Sequence, residues 1–189
     1  MTNTSILFWQ SKKDYLHLLS SNKLGKAIIV TLNYLIWIFF FYISYLLIRT
    51  DIRILWQLFF ATLFSEIIER YLKKKNFWCR PMFNSHDSTP VGLVDSWYKT
   101  GSFPSGHSIK SAFFFLFILQ YQVFSPLLFV IITGLLLLFR VLMGFHYLID
   151  IFGGFVIGII LWIIVHSWQV NISINSTLQN LFNFVFKVN

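Results

Sequence analysis

Five long apolar stretches, separated by short polar segments, dominate the chain. Two of them contain no charged residue, and in the other three the charges lie toward one end. A helix that crosses a bilayer needs roughly 17 to 25 predominantly apolar residues. The pattern therefore predicts five membrane-spanning helices, over residues 27–48, 54–72, 105–121, 123–139 and 145–165.

The composition indicates the same environment. Of the 189 residues, 57% are hydrophobic and 12% are charged, and the mean hydropathy is +0.69. A soluble domain of this length could not bury so much apolar surface, so we expect the bilayer to be the solvent of this chain. Lys110, near the start of the third span, is expected to reach the interface with its long side chain.

The segments outside the spans complete one domain. Residues 1–26 mix apolar and basic side chains without the apolar run of a cleavable signal peptide, and they predict a helix in the membrane interface, with a disordered tail as the alternative. Residues 73–104 form a structured polar loop and residues 168–189 a C-terminal tail. Since no repeat or linker divides the chain, we expect residues 1–189 to form an all-α integral-membrane bundle of about five to six helices with an N-terminal interfacial helix.

The charged residues limit the partners. The formal net charge is +8, but the cations flank the spans, so anionic lipid head groups and not nucleic acid are the expected partners. Cys79 is the single cysteine, which excludes a disulfide within the chain. The acidic residues do not form the paired-carboxylate cage of a divalent cation, so we expect neither a metal nor another cofactor. The sequence indicates no oligomeric state.

Polar residues from distant parts of the chain are predicted to meet on one side of the membrane. Short connections make neighbouring spans antiparallel, and the turns near residues 49–53 and 120–122 then lie on the opposite side. The polar residues at the other ends of the spans share the first side: Lys73, Arg80, Ser105, His107, Arg140 and His146.

His146 and Asp150 lie four residues apart at the start of the last span, so they are expected to share a helical face. Gly154 and Gly158 continue that face, where small residues allow another helix to approach. Asp150 is expected to accept a hydrogen bond from the imidazole and to leave the other nitrogen as a nucleophile or base. Taken alone, the pair would more often be a buried histidine satisfied by an aspartate.

Pro104, Ser105, Gly106 and His107 precede the third span. Ser105 is a plausible helix cap, and the free amide groups at a helix N-terminus bind anions. His107 in the first turn would adjoin such an anion. A serine cap after proline is common, so this tetrapeptide is weak evidence alone.

Three basic residues at the ends of the spans could bind a phosphate. The planar fork of Arg80 suits two phosphate oxygens. Lys73 follows Glu69 by four residues, so an ion pair on a helix surface is the alternative reading. Arg140 alone would be read as a membrane anchor. The order and spacing of all these residues together favour a phosphate site.

The three motifs are Lys73-x6-Arg80-Pro81, Pro104-Ser105-Gly106-His107 and Arg140-x5-His146-x3-Asp150. They resemble those of the type 2 phosphatidic-acid phosphatase superfamily, in its membrane lipid phosphatase branch. The resemblance covers about residues 73–150 and implies a helical bundle, commonly with six spans. The family usually has serine before the third-motif arginine, where this chain has Phe139 and so lacks one hydroxyl donor.

The resemblance also implies roles. His146 would attack phosphorus and form a phosphohistidine, Asp150 would orient it, and His107 would protonate the leaving group. The phosphate oxygens would be bound by the remaining motif residues, Lys73, Arg80, Ser105, Gly106 and Arg140.

These roles predict a metal-independent membrane lipid phosphatase. Undecaprenyl diphosphate, phosphatidylglycerophosphate and the phosphates of lipid A are all open as substrates. A lipid phosphotransferase shares the covalent step and stays open, and an inactive membrane structural or transport protein is the alternative from another class. The loop over residues 76–103, with Trp78, Trp97 and Tyr98 as interfacial aromatic residues, is expected to cover the lipid head group. Asp87, Asp95 and Lys99 would contact its polar part, with a plain solvated loop as the equal alternative.

The side of the membrane that carries the site is contested. Of the 15 lysines and arginines, Arg49, Arg53 and Lys187 lie opposite the motifs, which leaves the other twelve on the motif side. The positive-inside rule would put that side in the cytoplasm. Resemblance to bacterial members favours the inner membrane with a site facing the periplasm, and that is our expectation.

Overall fold

The computed structural model describes residues 6–11, 15–84, 100–168 and 172–186. All regular secondary structure in these ranges is helical, which confirms the predicted all-α membrane fold. Two short 3-10 helices lie at Ile6–Phe8 and Pro81–Asn84. The α-helices are α1 (Tyr15–Ser20), α2 (Lys23–Thr50), α3 (Arg53–Lys75), α4 (Gly106–Tyr121), α5 (Pro126–Leu142), α6 (Leu148–His166) and α7 (Ile172–Phe186).

Each predicted span coincides with one helix, from α2 to α6, although the ends differ by a few residues. Among the described helices, α2 and α6 are long and apolar enough to cross a membrane, and α5 is apolar but shorter. The difference that matters most is at α6, which begins at Leu148 with Tyr147 as its N-cap. His146 therefore precedes the helix, and the prediction that it shares a helical face with Asp150 was wrong.

Local side-chain chemistry sets several helix ends. Asn22 caps α2 by accepting a hydrogen bond from the backbone N–H of Gly25. Ser125 caps α5, with Pro126 at its first position. Asn76 ends α3 in the left-handed conformation, with φ of 49°. The N–H of Asn76 closes this turn by donating to the carbonyl of Lys73 over 3.2 Å.

The helix α4 lies at the centre of the bundle and packs on α2, α3, α5 and α6. Ile109, Phe113 and Phe117 on α4 are fully buried. The close approach of another helix predicted at Gly154 and Gly158 is confirmed, and that helix is α4, because a Cβ atom at Gly154 would lie 2.7 Å from Ser105 O. At Gly158 it would overlap the backbone of Ile109.

The outer faces of α2, α5 and α6 are apolar and exposed, as at Phe41, Leu135 and Ile163. Such faces are typical of helices in contact with lipid. In the described part of residues 1–26, the predicted interfacial helix is divided into the first 3-10 helix and α1. Residues 168–189, assigned to a tail, contain α7, whose Phe182 and Phe186 contact Tyr45 of α2.

Candidate active site

Hydrogen bonds join the three motif segments at one end of the bundle. The guanidinium of Arg80 donates to the carbonyl of Phe145 over 3.0 Å, and Met82 N–H donates to Gly144 O over 3.1 Å. The N–H of Ser105 donates to the carbonyl of Asp150 over 3.1 Å. Gly144 has φ of +71°, which favours glycine there. Residues far apart in sequence are thereby held together.

The segments enclose a polar cavity of about 170 Å³ between α2, α3, α4 and α5. Five of the predicted site residues line it: Lys73, Arg80, Gly106, His107 and Arg140. The sequence reasoning missed the others, which are Asn33, Tyr34, Trp37, Glu66 and Glu69. The convergence expected from the antiparallel spans is therefore present in the structure.

The two arginines are buried, with 4% of Arg80 and 7% of Arg140 exposed, so neither is a membrane anchor. Arg140 donates a hydrogen bond to Asn33 Oδ1, and its guanidinium lies 5.4 Å from the ring centroid of Phe145. Among the described residues, Arg140 Nε has no hydrogen-bond partner although it is buried. It is a donor that a phosphate oxygen would satisfy.

Lys73 forms the ion pair with Glu69 that the spacing of four residues allowed. Both side chains are mostly buried, at 16% exposure, so the pair belongs to the cavity and not to a helix surface. Lys73 nonetheless lines the cavity beside Arg80 and Arg140.

Lys110 does not reach the interface, and that prediction was wrong. Its residue exposure is 1%, and its ammonium lies 2.8 Å from Glu66 Oε1 and 3.7 Å from Glu69 Oε2. It also lies 5.0 Å from the ring centroid of Trp37. Carboxylates on α3 and an aromatic face on α2 hold the cation inside the bundle.

Ser105 occupies the N-cap position of α4, but its side chain makes no capping hydrogen bond. Its Oγ is buried without a hydrogen-bond partner among the described residues. Gly106 lies against the carboxylate of Glu69, which a Cβ atom would overlap. His107 lines the cavity with its ring edge-on to Trp37 at 5.7 Å, and its Nε2 lacks a partner in the described structure.

His146 and Asp150 lie together, but the expected hydrogen bond between them is not formed. His146 Nδ1 is 3.5 Å from Asp150 Oδ2, which is longer than an N–H···O hydrogen bond. That oxygen instead accepts the N–H of Tyr147 over 2.8 Å, which fixes the start of α6. The other oxygen accepts the indole N–H of Trp78 over 2.9 Å.

The surroundings of His146 favour a neutral imidazole. It lies in the loop before α6, and 1% of it is exposed. Burial, followed by the positive charges of Arg140, Arg80 and Lys73, lowers the pKa of His146 well below its usual range. A neutral imidazole has the lone pair that a nucleophile needs.

Signals for some missed residues were present in the sequence. Asn33 is a polar amide within a predicted span that contains no charged residue. Glu66, Glu69 and Lys110 are charged residues within predicted spans, where each charge requires a partner. Phe139, the departure from the family pattern, packs on a small apolar cluster of Leu16, Ile29, Met143 and Phe145.

Trp78 is partly buried, and its indole N–H donates to Asp150; its role over the head group stays a prediction. The other loop residues expected to cover the head group lie outside the described residues: Asp87, Asp95, Trp97, Tyr98 and Lys99.

Comparison with known proteins gives one match. The sequence model of the PAP2 superfamily matches residues 54–174, a range that contains every predicted site residue. No curated protein and no solved structure matches the chain.

Proposed function

Because the chain belongs to the PAP2 superfamily, whose members are lipid phosphatases and phosphotransferases, we propose that it is a metal-independent membrane lipid phosphatase working through a phosphohistidine. The observation that carries the proposal is the cationic cavity, where Lys73, Arg80 and Arg140 surround His107. His146 is not among the residues that line the cavity, but it follows Phe145, whose carbonyl accepts a hydrogen bond from Arg80, and it is buried beside Asp150.

In this mechanism the cations and the amide groups at the start of α4 bind the phosphate of the lipid. The His146 nitrogen remote from Asp150 attacks phosphorus with its lone pair. The bond between phosphorus and the lipid oxygen breaks, and His107, which takes up a proton when the anionic phosphate binds beside it, gives that proton to the lipid oxygen. The negative charge of Asp150 stabilises the positive charge that develops on His146.

The second half of the reaction regenerates the enzyme. Water attacks the phosphohistidine, His107 takes a proton from that water, and the bond between nitrogen and phosphorus breaks. Inorganic phosphate then leaves. If a lipid hydroxyl takes the place of water, the same site acts as a phosphotransferase.

The position of the cavity supports a lipid substrate. Its lining includes Tyr34 of α2, which is half exposed, and Glu66 of α3, whose side chain is 37% exposed. Ile38 and Phe41 continue the exposed face of α2 away from the site. A lipid could therefore keep its tails in the bilayer and move its phosphate sideways between α2 and α3.

For its location, we propose a bacterial inner membrane with the site facing the periplasm, by resemblance to bacterial members. The excess of basic residues on the motif side is attributed to anionic substrates and lipids at that surface. Labelling of single cysteines at the two ends of α2 in whole cells distinguishes the two orientations.

The function is tested by phosphate release from a panel of purified lipid phosphates and diphosphates, including those of undecaprenol, phosphatidylglycerol and lipid A. His146→Ala should abolish turnover, because it removes the covalent acceptor. His166→Ala is the matched control, since His166 is exposed at the far end of α6. Phosphate release by the His146 variant at the wild-type rate would contradict the mechanism. Transfer of phosphate to a second lipid without release would identify a phosphotransferase.

A further inference from the structure

A network of four charges connects the cavity to the interior of the bundle. Glu69 on α3 pairs with Lys73 through Oε1 and faces the ammonium of Lys110 through Oε2 at 3.7 Å. Lys110 is also 2.8 Å from Glu66 Oε1. Only Lys73 of these two lysines lines the cavity, and the mechanism above uses neither carboxylate.

Stability alone does not account for this network. Removing two charges from water costs several kcal/mol for each ion, and well-packed apolar residues in place of a buried ion pair are often neutral or stabilising. Lys110 is the one lysine, arginine or carboxylate of α4, where it is buried among apolar residues such as Ile109 and Phe113 and the hydroxyls of Ser108 and Ser111. A charge kept at this position is better explained by the chemistry of the adjacent site.

The carboxylate of Glu69 contacts two of the groups that would bind the phosphate. It pairs with Lys73, and it lies directly against Gly106 at the N-terminus of α4. A phosphate held by these groups would come close to Glu69, and two anions repel each other strongly in a partly buried site. Substrate binding therefore requires that Lys73 change partner and that Glu69 keep another cation.

We propose that Glu69 is an exchangeable counter-ion and that Lys110 makes the exchange possible. Without substrate, Glu69 neutralises Lys73. When phosphate arrives, Lys73 turns to the phosphate and Glu69 stays paired with Lys110, which already faces its other oxygen. Glu69 thus lowers phosphate affinity and assists product release, while Lys110 raises phosphate affinity. The inference rests on the proposed function, because it assigns Lys73 to the phosphate.

The test is equilibrium binding of inorganic phosphate to the purified full-length protein in detergent, followed by titration calorimetry. Glu69→Gln should lower the Kd for phosphate about tenfold, as expected for removal of one nearby like charge. Lys110→Met should raise it by about the same factor. The double variant should bind phosphate about as tightly as Glu69→Gln alone, because Lys110 acts only through Glu69; a Kd near that of the wild type would show two independent charges and contradict the exchange.

Lys74→Gln is the matched control, since it removes an exposed cation of α3 that does not line the cavity, and it should leave the Kd unchanged. Size-exclusion chromatography checks folding, and if Lys110→Met does not fold, Glu69→Gln alone decides. Unchanged or weaker phosphate binding by Glu69→Gln overturns this inference while the proposed function stands. A wild-type protein that binds neither phosphate nor vanadate overturns both.

Discussion

The indole N–H of Trp78 donates a hydrogen bond to Asp150 Oδ1 over 2.9 Å. Ser102 N–H holds the Trp78 carbonyl over 3.3 Å, and the Trp78 ring packs against Phe8 at 5.2 Å and Phe103 at 5.4 Å. Asp150 therefore has its two oxygens fixed by Trp78 and by the backbone at the start of α6. Its position beside His146 depends on the first-motif loop as well as on its own helix.

We predict that Trp78→Phe lowers kcat/KM by about tenfold or more, the range found when a group that orients an active-site ligand is removed. The ring packing is retained, but Asp150 loses a donor and its position beside His146 becomes less defined. Phe77→Leu is the control, because Phe77 is 56% exposed and its side chain has no N–H or O–H group that could donate a hydrogen bond to Asp150. Steady-state kinetics on one lipid phosphate measures both variants, and equal losses in the two would contradict the role of the hydrogen bond.

His107→Ala should slow the reaction most for substrates with poor leaving groups. A general acid contributes about a hundred- to ten-thousand-fold, and good leaving groups need little protonation. The measurement compares kcat/KM for a lipid phosphate and for an aryl phosphate in both proteins. A uniform loss across the two substrates would show that His107 binds phosphate and does not deliver the proton.

The sequence was sufficient for the helices and for the convergence of the motifs, because apolar length and short connections restrict the topology. It was not sufficient to predict that Lys110 is buried, because its partners Glu66 and Glu69 lie on another helix and only the packing of the two helices brings them together. The start of α6 was also missed, since Tyr147 gives no strong capping signal. The contact between Trp78 and Asp150 spans 72 positions of the chain, and no local pattern reveals such a pair.

On the acid limb of the pH profile, kcat/KM should begin to fall only at a pH below the ordinary pKa of histidine, which is about 6.5. The reason is that burial and nearby cations lower the pKa of His146. In the proposed mechanism only the neutral imidazole of His146 attacks phosphorus, so activity should be retained as the pH falls until the lowered pKa is reached. Arg140→Gln removes one of the cations, which favours the protonated form, so the limb should move to higher pH even though overall activity falls. Because both proteins are measured with the same substrate, the ionisation of its phosphate contributes equally to the two pH profiles. A limb that does not move, or moves to lower pH, would contradict the assignment.

Activity should survive EDTA, and orthovanadate should inhibit it by imitating five-coordinate phosphorus. The positive charge at the cavity comes from Lys73, Arg80 and Arg140, which replace the charge of a metal ion. Phosphate release is measured after dialysis against the chelator. Activity lost on chelation and restored by a divalent cation would reveal a metal requirement.

Access to the site from the bilayer leads to the last prediction. Tyr34 on α2 and Glu66 on α3 line the cavity and are partly exposed, so we place its opening toward the bilayer between them. We expect long-chain lipid phosphates to have a much higher kcat/KM than short soluble phosphate esters, because the tails remain in the bilayer while the phosphate enters.

Tyr34→Trp should narrow this opening and lower kcat/KM for the lipid more than for the soluble ester. Leu135→Trp is the control, since Leu135 is 62% exposed on the outer face of α5 and does not line the cavity. Equal efficiency on a soluble sugar phosphate and on every lipid tested would refute lateral access and make the protein a general phosphatase.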